Sequence, residues 1–298
     1  MERLPFIDAH VHLWDLPRIR YAWLSPPFSD EGPNGNVERI ASTYLLDDYL
    51  RDAADWNVVG MVHVEAGAHP AKALDETGWL QGTADERGMP NAIVAFAALD
   101  DPDVEPLLAA HAAHPNVRGI RHIVNWHADP QRTYTALDVT GHDSWQRGFD
   151  LLAKYGLSFD LQCYPTQYAN VARAIARNPD TQVILNHCGM PVDGFEQWRK
   201  EIGRLTALPN VSVKMSGFGF IDRSWSVDSI RPFALELIDR FGPDRVLLAS
   251  DFPTDRLFSS FGYILNTFTD VLAGFGEDEQ RAMFARNANR IYRLGLDV

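Results

Sequence analysis

Short apolar runs alternate with helix-patterned stretches eight times along the chain, and this alternation constrains the fold more than any other feature. The runs cover Phe6 to His12, Asn57 to Glu65, Ile93 to Leu99, Val117 to Val124, Leu157 to Cys163, Gln182 to His187, Val211 to Met215 and Arg245 to Asp251. The helical stretches run from a cap at Ser42 or Thr43 through Asp55, then Ala71 to Arg87, Asp103 to His114, Asp143 to Gly156, onward to Arg177, Phe195 to Leu205, Val227 to Phe241 and, last, Glu277 to Leu294. Parallel strands buried on both faces read as such continuous apolar runs. Eight strand–helix units predict a single (β/α)8 TIM barrel over residues 1–298. No flexible or charged linker divides it. Leu13 to Ala41 is irregular and carries Trp14, Trp23 and Phe28 among four prolines. It reads as a lid or pocket wall, or as a loop packed on the barrel rim.

In barrels of this kind, chemistry sits at the carboxyl ends of the strands. Polar residues gather at those ends: His10 and His12, His63 and Glu65, Arg121 and His122, Asp160 and Gln162, Asn186 and His187, Lys214 and Ser216, and Asp251. Strand side chains alternate between faces, so His10 and His12 share one face. Two imidazoles so placed form half of a metal site, or a polar floor for a carbonyl group. Of Arg121 and His122 only one can face inward, and Arg121 is assigned that place. Asp251 follows apolar and small residues, and an unpaired carboxylate there costs several kcal/mol, so it needs a metal, an arginine or a histidine beside it. His63 reads equally well as a core histidine or a pocket group, Glu65 can face a neighbouring charge such as Arg121, and Arg121 is suited to a carboxylate or oxyanion. His69, His111, His114, His127 and His142 read as solvated, and Cys163 and Cys188 as small apolar fillers.

Composition excludes several classes of function. Lys plus Arg is 27 against 40 for Asp plus Glu, giving −13, which argues against nucleic acid as a partner. It leaves room for a small anionic substrate met by a few local arginines. Two cysteines make no disulfide framework, and no apolar run is long enough to span a bilayer. With no signal-peptide core at the amino terminus, the expectation is a soluble cytoplasmic protein, and homo-oligomerisation is left open.

Six segments in barrel order resemble the amidohydrolase superfamily, and within it the amidohydrolase-2 group of lactonase-like barrels. They are Ile7 to Asp15, Arg118 to Arg121, Leu157 to Leu161, Leu185 to Gly189, Val213 to Gly217 and Ala249 to Pro253, with Asn287 to Tyr292 resembling the family's last helix. The resemblance implies metal ligands at His10, His12, His187 and Asp251. The family's strand-five histidine is replaced by the region of Asp160 and Gln162, and its bridging lysine by Arg121, so a two-metal site is not expected. One divalent metal, best zinc, or none is implied. The implied reaction is hydrolysis of a sugar-acid lactone or a pyrone- or muconate-type lactone. Asp251 would be the general base, with His187 and Arg121 in the catalytic set. His63, Glu65, Gln162, Lys214 and Trp14 would bind substrate, with Trp23, Trp126 and Tyr164 available for stacking. A metal-dependent decarboxylase of the same superfamily is the first alternative, though such enzymes keep the strand-five histidine. A non-catalytic sugar-acid binding barrel is the second.

Overall fold

The computed structural model describes residues 3–298. Its centre is one sheet of eight parallel strands in sequential order: β1 Phe6–Val11, β2 Val58–Val64, β3 Ala92–Phe96, β4 Val117–Ile123, β5 Ser158–Gln162, β6 Val183–Leu185, β7 Val211–Met215 and β8 Val246–Leu248. Around it lie α1 Leu46–Asp52, α2 Ala73–Arg87, α3 Val104–Ala112, α4 Asp143–Asp150, α5 Tyr168–Arg177, α6 Phe195–Thr206, α7 Val227–Phe241 and α8 Phe261–Leu272. This is the expected (β/α)8 barrel.

The first and last strands meet just past their regular ladders. The Asp251 amide donates to the His10 carbonyl at 2.9 Å, and the His12 amide donates to the Phe252 carbonyl at 2.8 Å. Asp8 fastens the same seam, because its Oδ1 accepts the Ser250 amide at 2.8 Å.

Simple alternation would put Asp8 on the same face as His10 and His12. The structure separates them. Asp8 Oδ2 accepts from the Tyr49 hydroxyl of α1 at 3.0 Å, so Asp8 faces the helix layer. Between the pairings Asp8–Met61 and Val11–His63, β1 carries one residue more than β2. That extra residue is a β-bulge, which re-aims the side chains beyond it. Ile7 and Ala9 therefore pack in the lumen with Val62, Val64, Ile184 and Leu247, while His10 and His12 also turn inward.

Five local expectations are corrected. Ser42 and Thr43 do not cap α1: the Ser42 carbonyl accepts the Trp14 indole at 2.6 Å, and Asp48 caps the helix by accepting the Leu45 amide at 2.9 Å. The helix expected through Gly156 ends at Asp150 and is followed by a 3-10 turn, Ala153–Tyr155. Helix α8 had no counterpart in the sequence reading. The final stretch comprises α9 Glu277–Arg281, a π turn at Ala282–Arg286 and α10 Asn287–Ile291. This added segment is not part of the outer ring. Ala285, Ala288, Ile291 and Tyr292 pack on the lumen residues and close the barrel from below. His111, expected in solvent, is buried between the Thr77 hydroxyl and the Phe96 carbonyl, each 3.0 Å from a ring nitrogen.

Candidate active site

The short strands β6 and β8 leave their polar residues on turns beyond the ladder. His187 begins a 3-10 turn with φ of 50°, followed by Cys188 at 55° and Met190 at 54°; Asp251 has φ of 57°. The left-handed region costs a non-glycine residue of order 1–3 kcal/mol, so packing and hydrogen bonds must hold these turns. Strain therefore gathers where β6 and β8 deliver His187 and Asp251. Gly217 lies under His187, and a Cβ there would stand 2.6 Å from Nδ1, so only glycine fits.

Three groups converge. His10 Nε2 and His12 Nε2 are 3.2 Å apart, and Asp251 Oδ1 lies 3.5 Å from the first and 3.3 Å from the second. His12 Nδ1 is 2.7 Å from the Val64 carbonyl, which can only accept, so the proton is on Nδ1 and Nε2 offers a lone pair. That lone pair faces the other imidazole and a carboxylate oxygen. Among the described residues neither oxygen of Asp251 has a hydrogen-bond partner, although Asp251 is 1 % exposed. Buried electron-pair donors aimed at one point call for a cation between them. Ligands about 2.0–2.1 Å from a tetrahedral zinc are separated by roughly 3.3 Å, which these spacings match. The His12 bond to a backbone carbonyl is the support metal-binding histidines usually have. His10, His12 and Asp251 therefore fit a divalent metal. His187 stands beside them without joining the three. Its Nδ1 is 4.0 Å from Asp251 Oδ2 and 3.2 Å from the Ser216 hydroxyl.

Burial holds His10 well below the usual imidazole range, reinforced by the charge of Lys214, and lowers His187 to about 4 against the pull of Asp251. Both are neutral at pH 7. Burial pushes the Asp251 carboxyl up, but the histidines and Arg121 facing it outweigh burial and hold it below the usual carboxylate range.

A cavity of about 220 Å³ opens above these groups. Its walls include His12, Arg121, Gln162, His187 and Asp251, together with Trp23, Tyr134, Phe220 and Thr254. Arg121 faces inward as expected, but its fork is engaged. Nε donates to Glu65 Oε1 and Nη2 to the Glu65 carbonyl, both at 2.6 Å, and Nη1 donates to Gln162 Oε1 at 3.2 Å. Glu65 is thus spent on Arg121 and on the Gly67 amide, 2.7 Å from Oε2. Three other expected substrate contacts lie behind the wall. His63 is fully buried, with Nδ1 accepting the Leu13 amide at 3.2 Å. Trp14 is fully buried behind His12, their ring centroids 6.5 Å apart. Lys214 lies deeper in the lumen, bonded to Asp160 and 3.4 Å from His10 Nδ1. His122 plays the structural part assigned to it, accepting the Leu99 amide at 3.2 Å. Tyr134, Phe220 and Thr254 were missed because they sit on long loops without periodicity; only aromatic content marked such loops at all.

An eight-stranded parallel barrel with two histidines and an aspartate converging beyond the carboxyl ends of β1 and β8 carries these groups where enzymes of this fold place their chemistry. Residues 7–294 match the amidohydrolase family model, and the chain belongs to that family. It is 43% identical over 298 residues, 99% of this chain and all of the relative, to the uncharacterized protein y4mH of Sinorhizobium fredii. It is 25% identical to an L-fucono-1,5-lactonase of Burkholderia ambifaria, covering 97% of this chain and 95% of that one. Among solved structures, an amidohydrolase from Burkholderia multivorans with bound zinc superposes with a TM-score of 0.79 at 24% identity, covering 97% and 99% of the two chains. Among the described residues, no helix is long and apolar enough to cross a membrane.

Proposed function

We propose that this protein is a lactonase that opens the ring of a small sugar-acid or pyrone-type lactone, with Asp251 as general base. The observation that carries this reading is the Asp251 carboxylate, ionised, buried at the cavity floor and without a hydrogen-bond partner on either oxygen. An acceptor so placed suits removal of a proton from water. The lactonase relative, with its full-length match, supports the choice of substrate class.

In the proposed reaction Asp251 takes a proton from water as the water oxygen attacks the lactone carbonyl carbon. The charge of Arg121 on the cavity wall, with neutral His187, stabilises negative charge developing on the carbonyl oxygen. The ring C–O bond then breaks, and the proton held by Asp251 passes to the departing ring oxygen, giving the hydroxy acid. A divalent ion held by His10, His12 and Asp251 would supply positive charge to the carbonyl and lower the pKa of the attacking water. Gln162 fixes the remaining Arg121 nitrogen. Zinc suits the imidazole–carboxylate donor set best.

The test is a panel of sugar-acid and pyrone lactones, assayed with wild type and Asp251→Asn, with and without zinc. Ring opening by wild type and its loss in folded Asp251→Asn are expected. Absence of any ring opening across the panel, or near wild-type turnover in the variant, would remove this reading.

A further inference from the structure

The cavity above Asp251 is the inner of two chambers. An outer one of about 600 Å³ shares the Tyr134 and Phe220 walls with it. The inner chamber alone lies below the range usual for ligand pockets, whereas the two together reach it. The outer chamber is lined by polar groups from the loops after β1, β4, β5 and β7, among them Asp30, Gln131, Arg132, Tyr164 and Arg223.

Its two arginines differ. Arg132 is neutralised by Asp193, 2.8 Å away, and by Asp129 at 3.6 Å. Arg223 makes no ion pair among the described residues: its Nη2 donates to the Pro33 carbonyl at 3.2 Å, and its guanidinium lies 5.9 Å from the Phe258 ring. Asp30, the carboxylate on this chamber's wall, is not within ion-pair distance of it. Tyr134 stands between the chambers, bonded to Asn34 at 2.7 Å, and its hydroxyl feels the charges of both Asp251 and Arg223. Meanwhile Arg121, the guanidinium in the inner chamber, has its two-donor edge taken by Glu65. A substrate carboxylate cannot be clamped there by paired donors, and the guanidinium left to receive one is Arg223.

We propose that the substrate is a lactone bearing an anionic arm, the ring lying in the inner chamber and the arm's carboxylate meeting Arg223 in the outer one. This rests on the lactonase reading and specifies its substrate class. A charged hydrogen bond to guanidinium is the expected recognition, and the arm's polar body would lie along Tyr134 and Tyr164.

Two matched substrates test it: an aldonolactone carrying a uronic-acid unit, and the methyl ester of the same molecule, which keeps the shape and removes the charge. In wild type, kcat/KM for the acid should exceed that for the ester by about tenfold or more, the scale of one charge-assisted hydrogen bond. The advantage should reside in KM. In Arg223→Ala the ratio should fall to near one, and Arg223→Lys should restore part of it. A ratio near one in wild type overturns the proposal, as does a ratio that survives Arg223→Ala. Binding of free glucuronate to Asp251→Asn protein, followed by NMR, separates the two failures. Binding that Arg223→Ala weakens about tenfold upholds the anion subsite even if no ring is opened, and its absence in both proteins overturns the subsite alone.

Discussion

At the lower end of the barrel lumen, Asp160 accepts from Lys214 and from the Tyr292 hydroxyl, 2.9 and 3.0 Å from its two oxygens. At the mouth, Asp251 is as deeply buried and accepts from nothing. The two carboxylates share one lumen, and Lys214 touches both regions by reaching His10 Nδ1 at 3.4 Å. One is finished by its own chain; the other keeps both oxygens open among the described residues. A buried charge that is fully paired rigidifies a core, whereas one left unpaired is held at an energetic cost by the surrounding fold. The positive-φ turns point the same way: four of the five non-glycine residues with such backbone, His187, Cys188, Met190 and Asp251, lie on the turns after β6 and β8, and one, Arg293, lies beside Tyr292 at the floor.

The contrast should be broken most severely from below. Lys214→Met leaves Asp160 buried without its cation and should destabilise the fold by about 3–5 kcal/mol, read from urea unfolding. A loss under about 1 kcal/mol would mean the lower cluster is not the structural member of the pair. Asp251→Asn should do the reverse. Its stability should stay within about 1 kcal/mol of wild type, while kcat falls by about 10².

The pH profile sharpens the same point. Asp251 must be ionised to accept a proton, and its folded pKa lies below the usual carboxylate value, so activity should hold through the mildly acidic range. It should be lost only as pH falls below about 4. A limb above about pH 6 would assign the base to another group. Zinc offers a third comparison, because among the described residues the cluster able to hold an ion, His10, His12 and Asp251, lies at the mouth. Wild type should gain about 2.7 kcal/mol of stability at zinc a hundredfold above its Kd, and His12→Ala should gain none. Smallest is Tyr292→Phe, which removes one of two donors from Asp160 and should cost about 1.5 kcal/mol without changing kcat. A larger effect on kcat than on stability would show that the lower cluster serves the chemistry directly.

Much of the site was legible before any coordinates, because its signals are local. The spacing of His10 and His12, the polar residues at the strand ends and Asp251 after an apolar run can be read within a few residues of each other. So can the eight strand–helix units, since strand and helix periodicities are properties of short windows. What escaped depends on contacts between distant segments. The bulge in β1, which splits Asp8 from His10 and His12, exists only in the pairing with β2. The sequence left Arg121 open between a substrate carboxylate or oxyanion and a pairing with Glu65, and the fold settled it by bringing Glu65, 56 positions away in sequence, to 2.6 Å. Lys214 looked like a pocket residue by its place at a strand end, and Tyr292, reaching up through the floor, ties its partner Asp160 into the lumen instead. The sequence by itself therefore determined the barrel and the kinds of group at its mouth. Which of those groups stay free for chemistry was decided only by tertiary structure, because a polar side chain is spent or spared by its neighbours in space.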